Sequence, residues 1–314
     1  MNARDPHAKA TPPAAGYISS LVRSLESEYS LRQRHPEREG VYADYKQRSE
    51  AFRARHVGWH TIPYDSSERC AIDWFPARKT QAATPLFIFI HGGYWRALDR
   101  SIFSFVAEHF VQAGISTALI GYELAPKVRL GQIVEQVQQA VVQLFSQADE
   151  LRFCRNSVTV AGHSAGAHLA VMASAMPPDR LGGHALRGTI PISGLFSLEP
   201  LLLTSINHDL RMTPDEAMQY SPSLIDRFYS RRFLTAVGEL ETNAFIDQSR
   251  EFAGQMDAAG APSALLIAPG RTHFDIVDDL ATPGRPLFEQ ALAIAQGAGS
   301  GQEAPAINNA RSIN

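Results

Sequence analysis

The sequence has few cysteines, no long apolar run and little net charge, and each shortage excludes a class of protein. Its 314 residues include two cysteines, Cys70 and Cys154, and neither lies in a Cys-x-x-Cys pair or a Cys/His cluster, which argues against a disulfide framework or a zinc site. The longest apolar runs, such as residues 86–90, are far shorter than the ~20 residues that cross a bilayer. The first 16 residues lack the apolar segment of a secretory signal. We therefore expect a cytoplasmic protein that needs neither a metal nor a membrane.

The net charge and its distribution argue against nucleic acid and anionic lipid as partners. The formal net charge is -3, and the 29 basic and 32 acidic residues are interspersed, so no basic face for nucleic acid or anionic lipid is formed. Hydrophobic residues make up 45% of the chain and charged residues 19%, the balance of a globular protein with a sizeable core. A small molecule is the expected ligand, and the sequence leaves open whether the chain forms a homodimer.

The ends of the chain differ in composition from its centre. Residues 1–16 are polar with paired prolines and are predicted to be a disordered arm, and residues 297–314, rich in Gly, Ala and Asn, a disordered tail. Residues 17–54 read as charged N-terminal helices, followed by a strand hairpin. Residues 17–296 are predicted to form a single domain.

From residue 85 onward, apolar strands alternate with helices, which favours a mostly parallel central sheet flanked by helices on both faces. One segment breaks the alternation. Residues 195–231 lie between two core strands and are predicted to form a small cap insertion. The predicted core strands are 85–90, 115–122, 157–162, 187–194, 231–238 and 262–270.

A nucleophile motif lies at the end of one core strand. Gly162-His163-Ser164-Ala165-Gly166 follows an apolar strand and opens an alanine-rich helix, the setting of a nucleophile elbow. In that sharp turn, side chains two residues before and after Ser164 would collide, so glycine fits both places. The alternative is a serine that caps a helix between packing glycines.

An earlier strand ends in a loop that suits an oxyanion hole. His91-Gly92-Gly93-Tyr94-Trp95 follows the strand at 85–90, the place of the HGGG-type loop. The amides of Gly93, Gly92 and Ala165 are the candidate donors, and His91 is expected to brace the loop. An ordinary glycine turn is the alternative.

The base and the acid must come from later strands in the order Ser, acid, His. His273 follows the last strand and is the candidate base. Two carboxylates after the preceding strand compete for the acid, Glu241 and Glu239, and Glu241 fits the usual loop position better. The aspartates that follow His273 read as caps or surface charges.

The candidate substrate-binding residues are Tyr94, Trp95 and Asn207. Tyr94 and Trp95 directly follow the oxyanion glycines and could wall a site for an aromatic ring. Core packing is the alternative for Trp95 and also for Tyr122. Asn207, in the cap insertion, is a weaker candidate.

These motifs together resemble a known family. The segments HGGYW, GYELAP, GHSAGAHLA, ISGLFSLEPL, VGELETNAF and THFD are similar to the α/β-hydrolase esterases that include kynurenine formamidases (arylformamidases), with the hormone-sensitive-lipase-like esterases as wider neighbours. The resemblance covers roughly residues 57–295. It implies an α/β-hydrolase fold, the triad Ser164, Glu241 and His273, and a small aromatic-lined pocket. The animal formamidases carry aspartate where Glu241 stands, whereas bacterial-type relatives often carry glutamate.

The resulting expectation is a serine hydrolase that cleaves a small aryl formamide, similar to N-formylkynurenine, through an acyl-enzyme without a cofactor. A carboxylesterase for short-chain or aryl esters is the first alternative, since one fold serves many chemistries. A catalytically silent binding protein is the second, and an intact triad with its oxyanion loop argues against it.

Overall fold

The structure is a computed structural model that describes residues 15–77 and 82–297 and the short strand at 307–308. Its strands are β1 (His60–Pro63), β2 (Ala71–Phe75), β3 (Thr84–Ile90), β4 (Ser116–Ile120), β5 (Phe153–His163), β6 (Gly188–Ile192), β7 (Arg227–Phe228), β8 (Phe233–Gly238), β9 (Ser263–Ala268) and β10 (Ile307–Asn308). Its α-helices are α1 (Ala15–Tyr29), α2 (Leu31–Arg34), α3 (Arg38–Arg55), α4 (Ala107–Gln112), α5 (Leu130–Ser146), α6 (Ala148–Leu151), α7 (Ala165–Ser174), α8 (Asn207–Leu210), α9 (Pro214–Gln219), α10 (Asn243–Ala258), α11 (Ile276–Leu280) and α12 (Pro286–Gln296).

Eight strands form one mixed sheet in the order β1-β2-β4-β3-β5-β6-β8-β9. Strand β2 pairs antiparallel with both β1 and β4, and every other neighbouring pair is parallel. The mostly parallel sheet predicted from the strand–helix alternation is therefore confirmed. The predicted hairpin is also present, with His60 opposite Trp74.

The central strand β3 shows why the sheet is covered on both faces. Its alternate side chains enter two different cores, and Phe87 and Phe89 lie on one face while Ile88 and Ile90 lie on the other. Helices α5 and α7 supply the partners of the isoleucines, and α3, α4 and α12 supply those of the phenylalanines. A strand buried on both faces must be apolar throughout, which is the pattern the sequence carries there.

The predicted disordered ends lie largely outside the described residues. Helix α1 begins at Ala15, so the last two residues of the predicted arm are helical, and residues 1–14 lie outside the described part. In the predicted tail, Ile307–Asn308 pairs antiparallel with β7, whose edge offers unpaired main-chain groups. Disorder of the remaining arm and tail residues stays a prediction.

The insertion at 195–231 folds into short helical segments beside the carboxyl end of β5. It contains α8, α9, β7 and two 3-10 turns, Glu199–Leu203 and Pro222–Leu224. Helix α1 packs against it, and the Glu26 carboxylate accepts hydrogen bonds from the amide and hydroxyl of Ser205. Nowhere in the ranges described above is a helix both long and apolar enough to cross a membrane.

Candidate active site

Ser164 occupies a strained turn between β5 and α7. Its backbone adopts φ 57° and ψ -121°, in the positive-φ region that non-glycine residues avoid. The flanking glycines are sterically required, since a Cβ on Gly162 would lie 2.1 Å from the carbonyl oxygen of Gly166. A Cβ on Gly166 would lie 2.1 Å from the carbonyl oxygen of Ile90. The turn therefore holds Ser164 at the positive end of the α7 dipole, where a developing anion is stabilised.

An imidazole and a carboxylate meet in the loops that follow β8 and β9. The Nδ1 atom of His273 lies 2.7 Å from Oε2 of Glu241, and both side chains are buried. The other carboxylate oxygen, Oε1, accepts hydrogen bonds from the hydroxyl of Ser193 and from the amide of Gly238 at 2.8 Å. Because the carboxylate accepts, the His273 ring donates through Nδ1, and in the neutral ring Nε2 is then the nitrogen that can accept a proton.

The second candidate acid is directed away from this pair. Glu239 is exposed, and its carboxylate accepts the amide of Gly270 at 2.8 Å. It makes no contact with His273. Of the two glutamates that the sequence left open, only Glu241 meets the imidazole.

The glycine loop after β3 lies directly against Ser164. A Cβ on Gly92 would be 3.1 Å from the Cβ of Ser164, and Gly93 has φ 111° with the carbonyl oxygen of Ala97 2.2 Å from where its Cβ would stand. Within the described residues, the amides of Gly92, Gly93 and Ala165 donate to no other protein group. Three free N–H groups thus flank Ser164, which is the requirement for stabilising an oxyanion.

The loop is held from behind by two side chains. His91 donates through Nδ1 to the carbonyl of Gly92 at 2.8 Å, and the Tyr122 hydroxyl donates to the carbonyl of His91 at 2.8 Å. The two rings stack with centroids 4.4 Å apart. Burial lowers the pKa of His91 to about 4, so its ring stays neutral. The sequence predicts His91 as a brace but leaves Tyr122 a candidate for core packing or for the site.

His163, the residue before Ser164, connects this turn to the His273 loop and was not singled out from the sequence. Its Nε2 donates to the carbonyl oxygen of His273 at 2.8 Å, and the two ring centroids are 4.7 Å apart. Burial lowers the pKa of His163 well below its usual value, so the ring is neutral beside His273. Its place inside the elbow motif is the only signal the sequence offers.

Ser164, His273 and Gly93 line one cavity of about 270 Å³. Four aromatic side chains are among its lining residues, and part of the lining comes from the N-terminal helices, which the sequence did not indicate as part of the site. The Tyr94 hydroxyl donates to the main-chain oxygen of Tyr29 at 2.7 Å, which ties the glycine loop to α1. The aromatic lining residues are Tyr29, Tyr42, Tyr94 and Phe274.

Two predicted substrate-binding residues lie away from the cavity. Trp95 is fully buried in the core, with its ring edge-on to His168 at 5.0 Å, because a positive φ of 55° turns the chain inward after Tyr94. The core-packing alternative is correct for this tryptophan. Asn207 closes a turn of the insertion by bonding both main-chain groups of Met212, and it does not line the cavity.

No group of three or more His, Cys, Asp or Glu side chains in the described part of the chain is arranged to hold a metal ion.

Comparisons with known proteins find one matching family model and relatives that are kynurenine formamidases. A family model described as BD-FAE matches residues 72–185. The kynurenine formamidase of Danio rerio is 30% identical over 228 residues, which cover 70% of this chain and 75% of that protein. The kynurenine formamidase of Drosophila melanogaster is 30% identical over 224 residues, covering 68% and 74%.

Solved structures share the fold over most of the chain. A candidate thioesterase from Silicibacter sp. superposes with a TM-score of 0.75 at 30% identity, covering 87% of this chain and 98% of that one. The carboxylesterase EstE1 from a metagenomic library gives a TM-score of 0.68 at 20% identity and covers 86% and 98%.

Proposed function

Because this chain belongs to the kynurenine formamidase family of α/β-hydrolases, we propose that it cleaves small aryl formamides through Ser164, His273 and Glu241. The chain is a hydrolase of formamide or ester substrates. The observation that carries the finer proposal is the 2.7 Å contact between His273 and Glu241 beside a cavity that His273 shares with Ser164.

In the proposed first step, His273 takes the hydroxyl proton of Ser164 as Oγ attacks the formyl carbon. Glu241 keeps the imidazole in the required tautomer and stabilises the cation that forms. The amides of Gly93 and Ala165, with Gly92 beside them, receive the oxyanion. Their lack of other partners among the described residues supports this role, because no existing bond must be broken.

In the second half of the cycle, the imidazolium of His273 protonates the leaving aryl amine, and the carbon–nitrogen bond breaks. Ser164 then carries the formyl group as an ester. Water, deprotonated by His273, attacks that ester and releases formate. The cycle needs a small-molecule substrate and water, and it uses no metal or organic cofactor.

We expect this cavity to accept an aryl formamide more readily than a substrate with a bulkier acyl group. A formyl group carries only hydrogen on its carbonyl carbon, so little space is needed beside the oxyanion loop. The rings of Tyr42, Tyr94 and Phe274 offer faces and edges against which an aryl amine can pack. An aryl amine is also a better leaving group than an alkyl amine, which lowers the barrier to amide cleavage.

Paired kinetics test the proposal against the carboxylesterase alternative. We expect kcat/KM for N-formylkynurenine to equal or exceed that for p-nitrophenyl acetate, with Ser164→Ala abolishing both. A formamide value several orders of magnitude below the ester value would instead identify a carboxylesterase. Absence of turnover on both substrates by the wild type would favour a catalytically silent binding protein.

A further inference from the structure

Helix α1 ends against the start of α10, the helix that follows the proposed acid. The Glu28 carboxylate on α1 accepts the main-chain amide of Ala244 at 2.9 Å, and the main-chain oxygen of Glu28 accepts the hydroxyl of Thr242 at 2.9 Å. Glu28 and Ala244 are 216 positions apart in the sequence, so the contact is made by the tertiary fold. The proposed chemistry uses neither hydrogen bond.

The Glu28 carboxylate takes the place of a helix cap. Thr242 is the N-cap residue of α10, and a threonine there usually accepts the amide of the second or third helical residue. Here its hydroxyl is directed to α1 instead, and the second helical residue, Ala244, donates to Glu28. A carboxylate at this end of a helix also interacts favourably with the helix dipole. Helix α1 therefore supplies the cap that the sequence of α10 would ordinarily provide.

The position of the cap matters because Glu241 directly precedes the N-cap residue. The amides of Phe245 and Ile246 donate to the carbonyl oxygen of Thr242 at 3.1 and 3.2 Å, so the first turn of α10 begins one residue after Glu241. On the other side, the amide of Glu241 donates to the carbonyl oxygen of Gly238 at 3.3 Å. The main chain of Glu241 is thus held between a tight turn and a capped helix end. Fraying of that helix end would change the direction in which the Glu241 side chain leaves the main chain.

A second glutamate on the same helix offers a comparison within the chain. The Glu26 carboxylate accepts the amide of Ser205 at 2.7 Å and its hydroxyl at 2.5 Å. Both glutamates fasten α1 to the rest of the protein, but Glu26 reaches the insertion, whereas Glu28 reaches the helix that follows Glu241. Neither glutamate lines the cavity beside Ser164. The pair therefore separates the general docking of α1 from an effect on the acid.

We propose that Glu28 is a positioning residue, whose carboxylate caps α10 and thereby holds Glu241 in the place where it meets His273. The inference rests on the proposed function, because Glu28 acts through the acid of the proposed triad. Glu28 does not touch the substrate, so its removal should lower the rate of the chemical step more than it weakens substrate binding.

Steady-state kinetics on N-formylkynurenine or p-nitrophenyl acetate, whichever the wild type cleaves faster, measure the effect. Glu28→Ala should lower kcat about tenfold to a hundredfold with KM within about threefold of the wild type, because a small displacement of a catalytic group has costs of this size. Glu28→Gln keeps an oxygen that accepts from Ala244 and should retain at least about a third of the wild-type kcat. Unchanged kcat in Glu28→Ala would show that the other contacts of Glu241 suffice, and it would overturn the proposal.

Two comparisons show whether a loss arises through the acid. Glu26→Ala removes the matched contact of α1 and should leave kcat within about twofold of the wild type; a loss equal to that of Glu28→Ala would assign the effect to docking of α1 and overturn the proposal. In a double-mutant cycle, Glu28→Ala with Glu241→Gln should be at most about twofold less active than Glu241→Gln alone. A further loss of about tenfold or more would overturn the proposal, since the cap would then act elsewhere, as through Phe245, whose ring lies 4.6 Å from that of His273 between centroids.

The single variant Glu241→Gln separates failure of this inference from failure of the proposed function. Wild-type activity in Glu241→Gln would defeat the proposed triad and this inference with it, whereas a large loss there with none in Glu28→Ala would defeat this inference alone. If Glu28→Ala does not fold, Thr242→Val, which removes the other hydrogen bond to Glu28, takes its place in the cycle and should lower kcat at least about threefold. If the wild type turns over neither substrate, the rate at which an aryl phosphonate labels Ser164 replaces kcat in every comparison.

Discussion

Replacing Glu241 by glutamine changes one atom of the buried acid and tests its role most selectively. In the native site, Oε1 accepts from the Ser193 hydroxyl and the Gly238 amide, and Oε2 accepts from Nδ1 of His273. A glutamine satisfies the two donors at Oε1 only by placing its carbonyl oxygen there. Its NH₂ group then faces Nδ1, which must become an acceptor. The proton moves to Nε2, and His273 can no longer take the Ser164 proton.

The magnitude follows from this change of tautomer. The same replacement in a serine protease triad lowers kcat about 10⁴-fold, equivalent to ~5 kcal/mol in the barrier. Glu241 does not line the cavity, so substrate binding should be little affected. We therefore expect a loss of about 10³- to 10⁴-fold in kcat with KM nearly unchanged.

Steady-state kinetics of Glu241→Gln and Glu239→Gln, on whichever of the two assay substrates the wild type cleaves faster, measure the effect. Glu239 is exposed and contacts Gly270, so its variant should stay within about twofold of the wild type. A small loss in Glu241→Gln, or a large loss in Glu239→Gln, would refute the assignment of the acid. Thermal unfolding of both variants shows whether a loss comes from misfolding instead.

Three further predictions concern Gly92 of the glycine loop, Tyr122 beside that loop, and the buried His168. Gly92→Ala places a Cβ 2.8 Å from the carbonyl oxygen of His163, the residue before Ser164. We therefore expect kcat/KM to fall about 10²-fold. Wild-type activity in this variant would show that the loop can move to accommodate the methyl group. Tyr122→Phe removes the hydroxyl that donates to the carbonyl of His91 in the glycine loop. The variant should lose ~1–3 kcal/mol in the free energy of unfolding, and its kcat should fall. A loss of stability with unchanged kcat would contradict the role of Tyr122 in positioning the loop. Burial lowers the pKa of His168 from 6.5 to about 4, so its contribution to stability is complete above pH 6.5 and declines as the pH falls. Urea unfolding at pH 8 and pH 5.5 measures this effect. Between the two pH values, the free energy of unfolding should fall about 1.4 kcal/mol more in the wild type than in His168→Gln. Equal losses would contradict the lowered pKa of His168.

The fold and the sharp turn at Ser164 could be predicted from the sequence because their signals are local. Apolar strands such as β3 and the helices between them show their periodicity within a few residues. The elbow glycines are also a local requirement, since Gly162 and Gly166 meet each other across a single turn. The loop position favoured Glu241 over Glu239, but the two lie two residues apart. They are distinguished by the distant side chains that Glu241 meets, the hydroxyl of Ser193 and the imidazole of His273.

The walls of the cavity could not be predicted in the same way. Gly93, Tyr94 and Trp95 all have positive φ, an arrangement that no pattern of residue types announces, and it sends Trp95 into the core while Tyr94 stays at the cavity. The contribution of Tyr29 and Tyr42 depends on packing between the N-terminal helices and loops more than 60 residues away. Because these helices are highly charged, nothing in the sequence indicated that they line the cavity.

The central claim is that Ser164 is the nucleophile, and covalent labelling tests it most directly. Intact-mass and peptide measurements after treatment with a serine-reactive aryl phosphonate should show one adduct per chain, located on Ser164 and absent from Ser164→Ala. Unlabelled Ser164 in an enzyme that still turns over substrate, or an adduct that forms equally in Ser164→Ala, would contradict the account.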